Sequence, residues 1–408
     1  MPKYLIVGSG AAGASAAQNL AKADPAAQVI LLEDEPYPYY YRPKLWEFLA
    51  GELEQPALFY RPTEWYASQN IALRLQTKAA AIRPAEHQVI LASGEHLPYD
   101  RLLLSTGSCC FVPAIPGVTL PGVHVLRTLE DALAIRAHAS RSRRAIIIGG
   151  GLLGLETARA LSALHLEVSV IEMAPYLLPR QLDREGAQFL QARLQSLGLT
   201  IHPGARPVAI LGETAATGVR LEDGRSLPGE LILFSAGIVP RVELAREAGL
   251  STRQGIVVDQ FLQTSSDDIF AAGDAAEFEQ RIYGLVNPAL EQARIAAQNM
   301  AGGQTAVYRG TIPSATLKLL GMELTSLGEA TAEGEPLVIL RDLDESAGRY
   351  RKLVLRDGIL VGAILLNDAS SVLPVRQLMA SRRNVSGFQS RLLERTFDLQ
   401  ALAQGKLA

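Results

Sequence analysis

Apolar positions along this chain gather in short runs, separated by glycine-rich turns and stretches rich in Ala and Leu. Tyr4-Leu-Ile-Val7 leads into Gly8-Ser-Gly-Ala-Ala-Gly13, an Ala-rich stretch, and then Val29-Ile-Leu-Leu32, which ends on Glu33. The same order returns as Ala145-Ile-Ile-Ile148, Gly149-Gly-Gly-Leu-Leu-Gly154, an Ala- and Leu-rich stretch, and Val168-Ser-Val-Ile171, ending on Glu172. Four-residue apolar runs bounded by turn residues read as fully buried strands, and the longer stretches between them as helices. Each set therefore predicts a strand–helix–strand unit.

Each unit is followed by further strands, closing at Arg101-Leu-Leu-Leu-Ser-Thr-Gly107 and at Leu231-Ile-Leu-Phe-Ser-Ala-Gly237. This is an internal duplication. It predicts an α/β fold with two nested Rossmann-like dinucleotide-binding domains, the second inserted into the first: residues 1–112 with 238–310, and residues 113–237. Val112-Pro-Ala-Ile-Pro-Gly117 has the composition of a hinge. Strands at Gly255–Asp259 and Asp268–Asp274 and a helix from Pro288 to Met300 complete the first domain. Strands at Pro336–Leu340 and Tyr350–Leu355, a turn at Asp357-Gly358 and a strand at Ile359–Leu366 then precede two helices. They predict a small C-terminal α+β domain, residues 311–408, without a cofactor motif of its own.

The glycine spacing carries a specific chemistry. The first Gly permits the tight strand-to-helix turn, the second lets backbone approach a pyrophosphate, and the third allows close helix–strand packing. The helix N-terminus presents free N–H groups to the anion. The acids lie 25 residues after Gly8 and 23 after Gly149, near the spacing for a carboxylate on ribose hydroxyls. A single such motif fits other glycine turns. Two, each with strand, helix and acid in register, point to two bound dinucleotides.

Composition narrows the remaining classes. The 408 residues are 48% apolar and 20% charged, with a formal charge of −3, so neither nucleic acid nor an anionic membrane is expected as main partner. No run approaches the ~20 apolar residues of a membrane span, and the N-terminus enters a strand without a signal peptide, which makes the cytoplasm the expected location. Cys109 and Cys110 are the only cysteines, too few for an iron–sulfur cluster, which needs about four. They read as buried or incidental thiols. The six histidines, His87, His96, His124, His138, His165 and His202, lack metal-ligand spacing, and no metal is expected.

Over nearly its whole length the chain resembles the two-dinucleotide-binding-domain (glutathione-reductase-like) flavoprotein reductases. The residues that carry the resemblance are Gly8-x-Gly-x-x-Gly13 with Glu33, Leu104-Ser-Thr-Gly107, Gly149-x-Gly-x-x-Gly-x-Glu156, Gly237-x-x-Pro240 and Thr264-Ser-Ser-Asp-Asp-Ile-Phe-Ala-Ala-Gly-Asp274. Within that group, Glu35-Pro-Tyr-Pro-Tyr-Tyr-Tyr-Arg-Pro-Lys-Leu45 and Val307-Tyr-Arg-Gly-Thr-Ile-Pro-Ser-Ala-Thr-Leu-Lys318 look most like NADH:rubredoxin oxidoreductases and the flavin portion of assimilatory nitrite reductase large subunits. The cysteine pair of the disulfide reductases and the single cysteine of peroxidatic oxidases are replaced by Arg42-Pro-Lys-Leu-Trp46.

The resemblance implies FAD held by Gly8, Gly10, Ala11, Ala12, Gly13, Glu33, Asp34, Arg42, Lys44, Ala80, Thr106, Gly107, Arg127, Gly273 and Asp274. It implies NAD(H) held by Gly149, Gly151, Leu152, Leu153, Gly154, Glu156, Glu172 and Gly237. Lys44 near flavin N5 and Glu156 near the nicotinamide are the implied catalytic residues, able to pair with each other. Their plain readings are a surface lysine and a carboxylate favoured near a helix N-terminus. Glu172, followed by Met173 and Ala174, favours NADH over NADPH by repelling a 2′-phosphate, with Arg180 the one residue able to overturn this.

The aromatic segment 37–66 reads as a packed helical excursion. Arg376, Arg382, Arg383, Arg391 and Arg395 read as solvated helix faces, or as a docking patch for an acidic carrier. The implied activity is NADH oxidation through FAD to a small iron protein such as rubredoxin or ferredoxin, with the oligomeric state open. The alternatives are an NADH oxidase or diaphorase using oxygen or quinones, and a flavin-based redox sensor or electron-transfer subunit of a larger complex.

Overall fold

The computed structural model describes residues 1–319 and 321–407. The chain divides into two compact units. The first comprises Met1–Phe48, Leu53–Phe111 and Ile238–Thr311; the second comprises Leu49–Glu52, Val112–Gly237 and Ile312–Ala408. Apart from the short Leu49–Glu52 segment, the chain crosses between units at Phe111/Val112, within reach of the proline-rich hinge, and at Gly237/Ile238 and Thr311/Ile312. The segments read as the second nucleotide domain and the C-terminal domain share the second unit.

The first unit is built on a five-stranded, wholly parallel sheet, in the order Ile269–Ala271, Arg101–Leu104, Lys3–Val7, Gln28–Leu32, Ile71–Arg74. Tyr4 to Val7 and Leu102 to Leu104 are all buried, as a parallel sheet covered on both faces requires. The helices Ala11–Ala23 and Val286–Gly302 pack on one another. Their alanines (Ala12, Ala16, Ala17; Ala289, Ala293, Ala296, Ala297) are buried, and such short side chains let two helix backbones come close. The second helix is two residues longer at each end than the sequence suggested. An antiparallel meander of Ala79–Arg83, Gln88–Leu91 and His96–Pro98 completes the excursion between strands.

In the second unit a second parallel five-stranded sheet runs Thr200–Pro203, Glu167–Glu172, Arg144–Ile148, Leu231–Phe234, Val123–Val125. In both sheets the strand before the glycine fingerprint is central. The strand that follows its helix lies on one side and the strand that closes the repeat on the other. Strand order therefore reverses beside each fingerprint, the place where an open α/β sheet leaves a crevice at its strand ends.

The second unit also holds a three-stranded antiparallel sheet of Pro207–Leu211, Gly218–Leu221 and Ser226–Pro228, and an antiparallel five-stranded sheet, ordered Ser314–Leu319, Met322–Gly328, Ile359–Leu366, Arg349–Arg356, Val338–Asp344, with the helices Ala369–Ser381 and Leu399–Ala403 packed together beside the latter. Asp357 and Gly358 both take positive φ, 52° and 75°, the demand of the expected two-residue hairpin. The first two strands escaped the sequence reading because Thr325 and Ser326 are buried polar residues inside the second of them. Arg383 donates to the carbonyls of Leu402 and Leu407, and Arg391 and Arg395 pair with Glu394 and Asp344. These arginines of the tail are bonded within the C-terminal segment. Among the described residues no helix is long and apolar enough to cross a membrane.

His124 Nε2 and His138 Nδ1 lie 3.0 Å apart, both partly buried. Burial, followed for His124 by His138 and for His138 by Arg141, holds both imidazoles below the ordinary value near 6.5. The unfolded chain then binds protons that the folded one refuses, so stability is full above that value and is lost as pH falls through the folded pKa values. The thermal unfolding midpoint is expected to drop between pH 7 and 5, and His138→Gln to flatten that dependence; parallel curves for the two proteins would refute it.

Candidate functional site: two glycine cradles

Both fingerprints are built alike. Gly8 (φ +98°) and Gly149 (φ +120°) turn the chain out of the sheet, and a Cβ on either would lie 2.3 Å from Ser105 O or 2.2 Å from Ser235 O. The third glycines, Gly13 and Gly154, lie against the first: a Cβ there would sit 1.8 Å from Gly8 O and 2.0 Å from Gly149 O. These four glycines are required by the protein's own packing. The middle glycines are different. Gly10 and Gly151 are the N-caps of the helices Ala11–Ala23 and Leu152–Ala163, and among the described residues, their own chain neighbours aside, nothing lies within 4 Å of a Cβ built on either.

Neither N-cap is closed by a side chain, and neither first turn carries an acid. The leading N–H groups of a helix have no intrahelical acceptor. In front of Ala11, Ala12 and Gly13, and again of Leu152, Leu153 and Gly154, open space faces a positive helix end. A pyrophosphate fits such a cradle in charge and in hydrogen-bonding valence.

The acids are fixed by the same device at both sites. Glu33 Oε2 accepts from Ser9 N (2.8 Å) and Ser9 Oγ (2.7 Å), and its Oε1 from Glu35 N (3.1 Å). Glu172 Oε2 accepts from Gly150 N (2.8 Å), and its Oε1 from Ala174 N (2.7 Å). Each carboxylate ties the residue after the first glycine to the residue two places beyond itself. Each keeps lone pairs for further donors. Met173 and Arg180 beside the second acid are exposed.

Gly273 (φ +81°) abuts the first cradle, since a Cβ on it would lie 2.9 Å from the Cβ of Ala12. Its N–H donates to Gln292 Oε1 (2.8 Å), and Asp274 beside it accepts from Ser108 Oγ (2.8 Å). Thr106 lies next to Gly8 and donates from Oγ1 to Arg241 O, while Gly107 O accepts from Arg241 N. Arg42 binds Glu35 (2.6 Å) and Tyr40 Oη (2.8 Å), so it joins the cradle through the residue whose N–H holds Glu33. Lys44 Nζ stands 5.7 Å from the centre of the Tyr41 ring. That ring belongs to a group of Tyr39, Tyr41 and Tyr60 with centres 5.6–5.7 Å apart. Tyr39, Tyr40, Trp46 and Tyr66 are buried, consistent with a packed excursion.

The remaining expected residues are spread over several elements. Asp34 and Ala80 are exposed, the latter at the bulge of its strand. Arg127 belongs to the second unit, where its N–H donates to Asp131 beside the Thr128–Asp131 capping box. Glu156 is the fifth residue of the helix Leu152–Ala163 and also in the second unit, whereas Lys44 is in the first. Gly237 is exposed with φ +111° at a unit boundary. Cys109 is exposed rather than buried, because among the described residues the strand Ser108–Cys110 pairs only with the short strand Ile238–Pro240. Successive strand residues face opposite ways, which separates the two thiols.

Ser105 and Gln292 were not anticipated. Ser105 Oγ donates toward Val7 O (3.1 Å) and Gly8 O (2.8 Å), and its place directly after Leu102-Leu-Leu104 is a signal in hindsight. Nothing local marks Gln292.

The fold and the twin cradles define a nucleotide-dependent oxidoreductase class, and the chain belongs to the pyridine nucleotide-disulphide oxidoreductase family, whose model matches residues 2–297. Residues 313–383 match the rubredoxin NAD+ reductase C-terminal domain. The chain is 36% identical over 369 residues to a nitrite reductase [NAD(P)H] of Bacillus subtilis, covering 90% of this chain and 46% of that one. It is 30% identical over 390 residues to an NADH-rubredoxin oxidoreductase of Clostridium acetobutylicum, covering 95% and 97%. A ferredoxin reductase of Rhodopseudomonas palustris superposes with a TM-score of 0.91 at 30% identity, covering 99% of this chain and all of that one. The chain spans about half the length of the nitrite and nitrate reductase relatives it matches.

The two kinds of glycine separate by mutation. Gly10→Ala places a methyl in open space, so the thermal midpoint of the nucleotide-free protein should hold while the purified protein loses its bound nucleotide, read from absorbance. Gly13→Ala should cost about 3 kcal/mol of stability by overpacking against Gly8. Equal stability losses in the two variants would contradict the assignment.

Proposed function

We propose that the chain is an FAD-dependent NADH reductase that passes electrons to a small iron protein such as a rubredoxin or ferredoxin. The observation that carries this is the pair of open, uncapped cradles, each with its own anchored acid, in one chain of this family. In this reading residues 1–112 with 238–310 hold FAD, residues 113–237 hold NAD(H), and residues 311–408 form a third domain. Residence in the cytoplasm goes with it.

Bound FAD would supply the conversion of a two-electron hydride donor into single electrons. The chain does the rest by binding and electrostatics. The N–H groups following Gly10 and Gly151 hold the two pyrophosphates, and Glu33 and Glu172 take ribose hydroxyls with the lone pairs left to them. Asp274, steadied by Ser108, accepts hydrogen bonds from the ribityl chain. Arg42, Thr106 and Gly107 line the flavin nucleotide, and Asp34 and Ala80 its rim. Lys44 places a positive charge near the flavin ring, where reduction accumulates negative charge. Glu156 and Gly237 line the nicotinamide side. Residues 42–46 contain no cysteine, so no thiol relay is available there and electrons leave for an external acceptor.

A second reading is an electron-transfer subunit of a larger assembly. It is favoured by one observation: the chain spans about half the length of several relatives.

The purified protein is expected to be yellow and to bleach on anaerobic NADH, then to recolour faster with rubredoxin or ferredoxin than with air. Absence of flavin, or reoxidation by air at the full turnover rate, would defeat the reading. Glu172 fixes the coenzyme by repelling a 2′-phosphate. Glu172→Gln should therefore narrow the NADH-to-NADPH ratio of kcat/KM by about tenfold, roughly 1.4 kcal/mol; an unchanged ratio removes Glu172 from coenzyme choice.

A further inference from the structure

Asp183 ends the connection that begins at Glu172. One of its oxygens caps the helix Arg184–Ser196, accepting from Gly186 N at 3.1 Å. The other faces three donors of the C-terminal sheet: Tyr350 Oη at 2.8 Å, Arg341 Nε at 3.3 Å and Lys352 Nζ at 3.4 Å. Tyr350 and Lys352 alternate on one face of the strand Arg349–Arg356, and Arg341 lies directly opposite Lys352 in the ladder. The Lys352 side chain is 0% exposed, and its ammonium also contacts Glu333 (2.6 Å) and Ala332 O (3.2 Å). Gly186 makes room for the Tyr350 ring, which a Cβ there would meet at 2.9 Å.

Burying an ammonium costs several kcal/mol unless its partners are held in good geometry. Here the geometry is good. Burial alone would raise the Asp183 carboxyl, but the Tyr350 hydroxyl, the Gly186 N–H and Lys352 outweigh it and hold it below the usual carboxylate range. Burial, and then Asp183 itself, pushes the Tyr350 phenol up, so it remains a donor.

The other end of the connection grips the second cradle. Ala174 N binds Glu172, Leu178 N donates to Gly150 O at 3.1 Å, and Leu177, Leu178 and Leu182 are fully buried. A Cβ on Gly150 would lie 2.5 Å from Leu177 Cδ2. Leu178 is held at φ +53°, a conformation a leucine adopts only under tertiary constraint. One short segment is thus fastened at its start to the acid and glycines of the cradle and at its end to the C-terminal sheet.

We propose that Asp183, with Tyr350, Lys352 and Arg341, is a positioning network through which the C-terminal sheet sets the affinity of the second cradle for its nicotinamide nucleotide. This rests on the reading of that cradle as the NAD(H) site. None of the four residues belongs to the cradle, so their influence is on binding and not on electron transfer. Slackening Asp183 frees the segment that holds Glu172 and covers Gly150.

The test uses the FAD-loaded full chain. NAD+ binding is measured by calorimetry, and NADH oxidation with ferricyanide as acceptor. Tyr350→Phe should raise the Kd for NAD+ and the KM for NADH about fivefold, within the usual range of coupling between sites, with kcat and flavin content unchanged. Asp183→Asn should shift both further in the same direction. Arg383→Ala, which loosens the C-terminal segment at Leu402 and Leu407 instead, should lower the thermal midpoint and leave the Kd unchanged. An unaltered Kd in both Tyr350→Phe and Asp183→Asn, or an equal rise in Arg383→Ala, overturns the inference. Failure of the unsubstituted protein to bind NAD+ overturns the site reading beneath it.

Discussion

The organising constraint is the contact between the start of a helix and the end of a central parallel strand, made twice. Gly13 and Gly154 press on the carbonyls of Gly8 and Gly149, so close that a single methyl would intrude to about half of a normal contact distance. That contact aims an uncapped helix end at the crevice where strand order reverses. It also puts Glu33 and Glu172, at the ends of neighbouring strands, within reach of the turn they fasten. Loosen it, and the cradle, the acid and the crevice cease to be one site.

Electrostatics follows from that placement. Each carboxylate is held by backbone N–H groups before any ligand arrives, so its direction is set by the fold. A positive helix end beside a fixed negative group suits a molecule with phosphates at one point and hydroxyls at another. The second unit adds a further layer of charge. There the buried Lys352 and the exposed Arg341 of an antiparallel sheet meet Asp183, which terminates the segment leaving Glu172. Elements of unlike architecture are joined by a carboxylate that caps a helix with one oxygen and accepts from a sheet with the other.

Much of this was legible along the chain, and what was not has a physical cause. The four packing glycines, the acids and the hairpin at Asp357-Gly358 reflect demands made within a few residues: positive φ, alternation, or a turn between two apolar runs. The strands Ser314–Leu319 and Met322–Gly328 were hidden because Thr325 and Ser326 are buried in them, and a polar residue in a core breaks the pattern a strand is read by. The exposure of Cys109 depended on its strand having one short partner. Gln292 holds Gly273 beside the first cradle from a position that no motif marks, and Ser105 lies inside Leu104-Ser-Thr-Gly107 without a role having been expected of it.

The amino-acid sequence by itself determined that two nucleotide cradles exist, where each begins, and which acid belongs to each, because glycine conformation and strand periodicity are local. Only the tertiary structure brought Gly273 against Ala12, and Tyr350 against Asp183. Those outcomes depend on segments more than a hundred residues apart meeting in one core, and separation along the chain carries no record of which side chains will share a contact.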